Sequence, residues 1–384
     1  MPLGPSGGEN AGLTMVDLTI GSRVRKSPFF AATVEAGATA FTIYNHMFMP
    51  TSYGDPEREY ELVTRAAAIW DVAAQRQVEI AGPDAFELTN YLTARDLTGC
   101  PVGRARYAPM CDQDGRLIND PVILRLADDR FWISIADSDI LLWVRAIAGE
   151  RNVDVTVSEP DASPLAIQGP RAMSVARKLL GPDTIDGLGF FHHRPADIDG
   201  IPMVVCRSGW SKQGGVELFL TDETQGSRLW DRVMEAGADE GIGPGTPNHT
   251  ERIESGLLSY ASDTDADTDP LEAGLGAFVS LDCDHDFVGR QRLLERRDHG
   301  ARRRLVNVVF DDEVPVCENP WVARVADDEV GMLRNATWSP RLERFVGLAL
   351  LVEAASMPGT VIEVDTEEWT IHATVTSTPF GEPL

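Results

Sequence analysis

The chain has 384 residues, 43% of them hydrophobic, and a formal charge of −26 at pH 7 from 60 acidic and 34 Lys or Arg side chains. That length supports two or three domains with separate cores. The charge opposes a nucleic-acid partner, no run approaches the ~18 apolar residues of a membrane span, and five scattered cysteines without C-x-x-C spacing fit reduced thiols in a cytoplasmic protein with no metal site.

Residues 1–21 are rich in Gly and Pro and lack a basic region followed by an apolar core. They read as a disordered segment and not as a signal peptide. Lysine occurs only at Lys26, Lys178 and Lys212. Heavy Asp/Glu with scarce Lys fits a salt-rich cytoplasm, where self-repulsion is screened, or an arginine-favouring genome. Residues 41–47 form an apolar-aromatic strand on which Tyr44 and His46 share a face. A helix is expected over 57–71, ending in Ile69-Trp70-Asp71, then a strand over 75–80. Gly82-Pro83-Asp84 opens a further helix with Ala85, Leu88, Tyr91 and Leu92 at helical spacing.

Residues 106–124, RYAPMCDQDGRLINDPVIL, read as a β-hairpin turning at Asp112-Gln113-Asp114-Gly115, where Gly115 supplies the positive φ. The returning strand is expected over 116–126, with Ile118, Asp120, Val122 and Leu124 on one face. Asp120 is then a carboxylate among aliphatic side chains, costly unless hydrogen-bonded, and a candidate site residue. From the pattern alone, an Asp paired to an Arg or a backbone amide for structural reasons is the favoured account.

Beyond the hairpin, strands are expected over 130–136, 152–157 and 163–167, with helices over 140–148 and 172–180. A second hairpin, 202–208 with 215–220, surrounds the loop Gly209-Trp210-Ser211-Lys212-Gln213-Gly214, followed by a helix over 226–236. Gly214-Gly215 before Val216-Glu217 permits close approach of a flat ligand to the backbone, although a Gly-rich turn accounts for it as well. Helices over 248–260 and 290–297 flank the acidic loop 263–270, which lacks the Gly and terminal Glu of a calcium loop. From Arg303 the pattern changes to six short strands, as in a small barrel or sandwich. Strands and helices in mixed order point to α+β layers. The expected organisation is 1–21 disordered, 22–302 an α+β unit and 303–384 a β-barrel.

The 106–124 hairpin, SPLAIQGP (163–170), RSGWSKQGGVE (207–217), RIESGLLSY (252–260), DFVGRQRL (286–293), SPRLERFVGLAL (339–350) and the terminal Pro379-Phe380 stand in an order that resembles the folate-binding T-protein (aminomethyltransferase) family. IYNHMFMP (43–50), WDVAAQRQVEI (70–80), LINDPVIL (117–124), ISIADSDILLW (133–143) and SKQGG (211–215) resemble its dimethylsulfoniopropionate demethylase branch. The resemblance implies fused ferredoxin-like α+β units with a C-terminal small β-barrel, and tetrahydrofolate as methyl acceptor. It implies Asp120 near the reactive folate nitrogens, as the catalytic carboxylate. It also implies Glu217 on the amino-pyrimidine edge of the pterin, Arg252 near the folate, and Tyr107 beside Asp120.

Two departures stand out. Asn119-Asp120 replaces the Asp-Asp pair usual in T-proteins, and Trp210 stands where the demethylase branch usually has Tyr. The implied reaction moves a methyl group from a sulfonium or related onium compound to tetrahydrofolate. The alternatives are aminomethyl transfer and a non-enzymatic iron–sulfur assembly role, which Asp286 in place of a Cys before Phe287 disfavours. An onium cation should lie against aromatic faces. Trp210, Tyr44 and Trp70 are candidates, and core packing explains each of them as well. The partners implied are folate and a small-molecule methyl donor, with a homodimer as the candidate assembly and neither nucleic acid nor membrane.

Overall fold

The structure, a computed structural model, describes residues 19–317, 319–366 and 369–377. Most of the 1–21 segment and the Pro379-Phe380 pair lie outside the described residues. Two sheets with helices on their outer faces precede a closed six-stranded barrel, so the α+β expectation and the barrel both hold.

The first sheet has six strands in the order His193–Ile198, Ile201–Cys206, Gly215–Leu220, Ser163–Gln168, Ala67–Asp71 and Ile242–Pro244. Its outer face presents Ile69, Leu165, Ile167, Val205, Val216 and Leu218 to the helices Ala172–Leu180 and Gly226–Ala236. Alternation sends the register row Trp70, Ala166, Glu217 and Cys206 to the inner face. The single helix expected over 57–71 is corrected. It ends at Arg65, and Ala67–Asp71 is a strand, buried at every position and paired on both edges. Pairing in the tertiary fold overrides the helical preference of the alanine run.

The second sheet has five strands, in the order Thr156–Ser158, Gln77–Ala81, Arg130–Ser134, Val122–Ala127 and Ala105–Tyr107. Its outer face packs Val78, Ile80, Ile123, Phe131 and Ile133 against residues of the helices Ala85–Leu92 and Ile140–Arg151. The inner faces of the two sheets meet each other. Trp132 lies 6.0 Å from Phe219 between ring centroids, amid Ala105, Leu124 and Cys206. A main-chain seam joins the sheets where Ala105 N–H donates to Phe191 O at 2.7 Å.

The helix expected over 248–260 covers only His249–Glu254. Gly256, at φ +65°, turns the chain, and residues 257–275 form neither helix nor strand. The barrel comprises Arg303–Phe310, Trp321–Val325, Asp328–Ser339, Arg344–Val352, Val361–Asp365 and Thr370–Thr376. It docks on the short helix, where Ile253 packs against Val346 and Leu348. Glu254 beside it accepts from Tyr60 Oη and Ser339 Oγ and pairs with Arg341. Among the described residues no helix is long and apolar enough to cross a membrane.

Candidate active site

The 105–127 hairpin is present, and it is broken in the middle. Ala105–Tyr107 pairs with Val122–Ala127, and Met110–Cys111 pairs with Leu117–Asn119. At the turn, Gly115 has φ +75° and Asp112 Oδ1 accepts the N–H groups of Asp114 and Arg116 at 2.9 Å each. The continuous strand expected over 116–126 is thus corrected. It stops at Asn119 and resumes at Val122, because Pro121 has no N–H to give a ladder. The break also undoes the expected common face. Ile118 packs in the helix-covered core, whereas Val122 and Leu124 lie in the cluster between the sheets.

Asp120 sits in that break. Its Oδ2 accepts a hydrogen bond from Tyr107 Oη at 2.8 Å. Burial pushes the Asp120 carboxyl up to about 7; the Tyr107 hydrogen bond pulls it down and the Asp263 charge adds to the rise. Three phenols surround it electrostatically. Burial, then the Asp120 charge, holds Tyr107 well above the usual tyrosine range. Tyr44 and Tyr260 are raised by burial first, then by Asp120 and Asp137. Phe278 stands edge-on to Tyr107, with centroids 4.9 Å apart at 85°, and Leu258 packs in the same cluster.

Glu217 lies on the inner face of the six-stranded sheet, 8% exposed. Burial raises its carboxyl and the Ser208 hydroxyl, its hydrogen-bond donor, moderates the rise. Ser208 is held through its carbonyl, which accepts from Gln168 Nε2 at 3.0 Å, while Gln168 Oε1 accepts from Ser211 at 2.7 Å. The loop between these groups is pinned to the short helix. Glu251 Oε1 accepts from Lys212 N–H and Gln213 Nε2, both at 3.1 Å. The close approach at Gly215 is to its neighbouring strand: a Cβ there would stand 2.1 Å from Ile167 O, at φ +154°.

A chain of contacts links the two carboxylates. Trp210, two residues after Ser208, donates Nε1–H to Leu258 O at 3.0 Å, and the Arg252 guanidinium lies 5.9 Å from its ring. Arg252 pairs with Asp263 at 2.6 Å, and Asp263 also accepts Ser259 N–H at 2.7 Å. Asp263 is close enough to Asp120 to act on its ionisation.

The structure therefore brings Tyr107 onto Asp120, with Tyr44 near enough to feel its charge and Glu217 on the facing sheet. Three other candidates are engaged in contacts within the protein. Arg252 is 1% exposed and committed to Asp263, so it supports the wall of the site from behind. Trp70, 1% exposed, packs with Leu62, Val63, Val72 and Ala166 and offers no open ring face. Trp210 already carries a permanent cation, Arg252, over its indole. Sequence reasoning missed Tyr260, Asp263 and Phe278: the first two come from an irregular segment with no periodicity to place them, and Phe278 from the single 3-10 turn Gly276–Phe278 that follows it. Among the described residues no group of three or more His, Cys, Asp or Glu is arranged to hold a metal ion.

A buried carboxylate with one hydroxyl partner fits a group presenting adjacent N–H donors, such as the amino-pyrimidine edge of a pterin.

Comparison with known proteins agrees on the architecture. Residues 29–283 match the model of the GCVT N-terminal domain, and residues 303–381 match that of the glycine cleavage T-protein C-terminal barrel domain. The chain is 37% identical over 346 residues to the dimethylsulfoniopropionate demethylase DmdA of Ruegeria pomeroyi, covering 90% of this chain and 94% of that protein. It is 30% identical over 365 residues to the aminomethyltransferase of Anoxybacillus flavithermus, covering 93% and 98%. The crystal structure of the glycine cleavage system aminomethyltransferase T of Bartonella henselae superposes with a TM-score of 0.84 at 21% identity, covering 94% of this chain and 99% of that one.

Proposed function

The chain belongs to the glycine-cleavage T-protein family and is a tetrahydrofolate-dependent transferase, and on that premise we propose that it moves a methyl group from an onium donor to tetrahydrofolate. Dimethylsulfoniopropionate is the first donor to consider, since the Ruegeria relative is named for it. The observation that carries this reading is the setting of Asp120: a half-buried carboxylate hydrogen-bonded by Tyr107, with Tyr44 and Tyr260 near enough to feel its charge and Phe278 behind Tyr107. Aromatic faces around a single negative charge are what a sulfonium or quaternary ammonium group requires. Each ring contributes about 0.5–2 kcal/mol by cation–π attraction.

The bound folate supplies N5 as the nucleophile. The S–CH₃ bond breaks as the N–CH₃ bond forms, which yields 5-methyltetrahydrofolate, a neutral thioether and one proton. Glu217 holds the pterin edge through two acceptor oxygens, with Ser208 orienting the carboxylate. Tyr107 orients Asp120, whose carboxyl near 7 is poised to accept the released proton at neutral pH. Tyr44 and Tyr260 present ring faces to the onium group and exclude water beside the carboxylate. Such a displacement needs no covalent enzyme nucleophile, and alignment of donor and acceptor supplies much of the acceleration. The site acts in a cytoplasmic protein under this reading, and the folate contacts fall within residues 22–302.

The test is incubation with tetrahydrofolate and a panel of methylated sulfonium, ammonium and methoxy compounds. 5-Methyltetrahydrofolate with a donor one methyl shorter is the expected result. Methylenetetrahydrofolate and ammonia from an aminomethyl-lipoyl donor, with no onium turnover, would overturn it in favour of aminomethyl transfer.

A further inference from the structure

Two residues of the site, Tyr44 and Asp120, each have an asparagine as sequence neighbour, and both asparagines grip the same three-residue turn, Ala136 to Ser138. Asn119 is fully buried. Its Oδ1 accepts Ala136 N–H at 3.0 Å, and its Nδ2 donates to Ala136 O at 3.0 Å and to Ser138 Oγ at 2.9 Å. Ser138 Oγ passes its own proton to Ile118 O at 3.0 Å. Asn45, 4% exposed, holds the turn from the other side. Its Oδ1 accepts Ser138 N–H at 3.0 Å, its Nδ2 donates to Ala136 O at 3.1 Å, and its backbone N–H donates to Asp137 Oδ1 at 2.7 Å. Ala136 O thus receives one proton from each asparagine.

Asn45 occupies the tip of the Ala40–Tyr44/Met47–Ser52 hairpin. The two turn residues Asn45 and His46 have φ of 48° and 60°, the left-handed pair of a tight two-residue turn. Fixing Asn45 therefore fixes Tyr44, whose phenol lies close enough to Asp120 and Asp137 to feel both charges.

We infer that Asn119 is a positioning residue that sets Tyr44 against Asp120 through the Ala136–Ser138 turn and so determines the fit of the methyl donor, an inference that rests on the onium reading above. The side chain must donate and accept at once. An aspartate at 119 would keep an acceptor for Ala136 N–H but would face Ala136 O with a second oxygen and no proton, at a fully buried position. The turn, Asn45 and Tyr44 would shift together, whereas Glu217 on the facing sheet shares none of these contacts.

The experiment combines Asn119→Asp, Tyr44→Ala and the double variant with 3-fluorotyrosine labelling read by fluorine NMR. Tyr44→Phe identifies the Tyr44 resonance. Asn119→Asp is expected to shift or broaden that resonance, to raise the donor KM about tenfold, as small misplacements do, and to leave folate affinity within about twofold, since the contacts to Glu217 are untouched. The double variant is expected to be no worse for donor KM than Tyr44→Ala alone. Where Asn119→Asp does not fold, Ser138→Ala instead removes the Ser138 Oγ that accepts from Asn119 Nδ2 and so loosens the same turn. An unshifted Tyr44 resonance, multiplicative effects on KM, or equal loss of folate affinity would overturn the inference. Absence of onium turnover in the unmodified protein instead sinks the donor reading, and the resonance then judges the Asn119 link by itself.

Discussion

Tyr107 donates its hydroxyl to Asp120 at 2.8 Å across a hairpin that breaks at that point, so the half-buried carboxylate is oriented by a residue of the opposing strand. The break is made by Pro121.

Asp120 ties stability to pH. Its folded carboxyl is raised from 3.8 to about 7, so the folded protein keeps a proton that the unfolded chain has released. The group therefore costs nothing below about pH 4, and stability falls as pH rises from there through about 7. Asp120→Asn removes this cost while keeping an acceptor for Tyr107. Its melting temperature should exceed that of the unmodified protein by a few degrees at pH 8 and match it at pH 4, with turnover lost at both. Thermal scans across that range check the sign. In the unmodified enzyme kcat/KM should rise with pH and level off above about 7.

Glu217→Gln preserves shape and replaces one acceptor oxygen with a donor. Folate affinity should drop by roughly 1.5–3 kcal/mol, the range for a hydrogen bond to a charged group. Calorimetry with tetrahydrofolate measures this directly, and an unchanged dissociation constant would remove Glu217 from the folate site.

Arg252 and Asp263 are 1% and 0% exposed and bonded at 2.6 Å. Removing the arginine alone strands a buried carboxylate, which costs about 3–5 kcal/mol. Arg252→Leu should melt far below the unmodified protein, and the pair Arg252→Leu with Asp263→Leu should recover much of the loss. A folate ligand would behave the other way, with affinity lost and melting intact. Denaturation and folate binding on the three proteins separate the two roles.

Tyr260 is the ring no sequence pattern pointed to. Tyr260→Phe keeps the aromatic face and should leave the donor KM within about twofold. Tyr260→Leu should raise it about two- to thirtyfold, the equivalent of 0.5–2 kcal/mol. Initial rates at varied donor and saturating folate make the comparison, and equal KM for the two variants would take Tyr260 out of the donor site.

What the sequence determined by itself is whatever depends on near neighbours. The Asp112–Gly115 turn, the two hairpins, the mixed α+β order and the six short strands after Arg303 follow from glycine placement and side-chain alternation, which act over a few residues. Asp120 stood out locally because a carboxylate within an apolar strand is costly wherever the strand goes, whereas Glu217 was marked by the likeness of its Gly-rich loop to a known family. Tertiary structure decided what depends on partners far along the chain. Ala67–Asp71 became a strand because two other strands flank it. Arg252 became a buried support because Asp263 folds back onto it from an irregular segment. Tyr260 reached Asp120 from a position 140 residues away in the same segment, along which no periodic pattern operates. Contacts of that separation are chosen by the packing of whole layers, and packing leaves no mark on the spacing of residues along one strand.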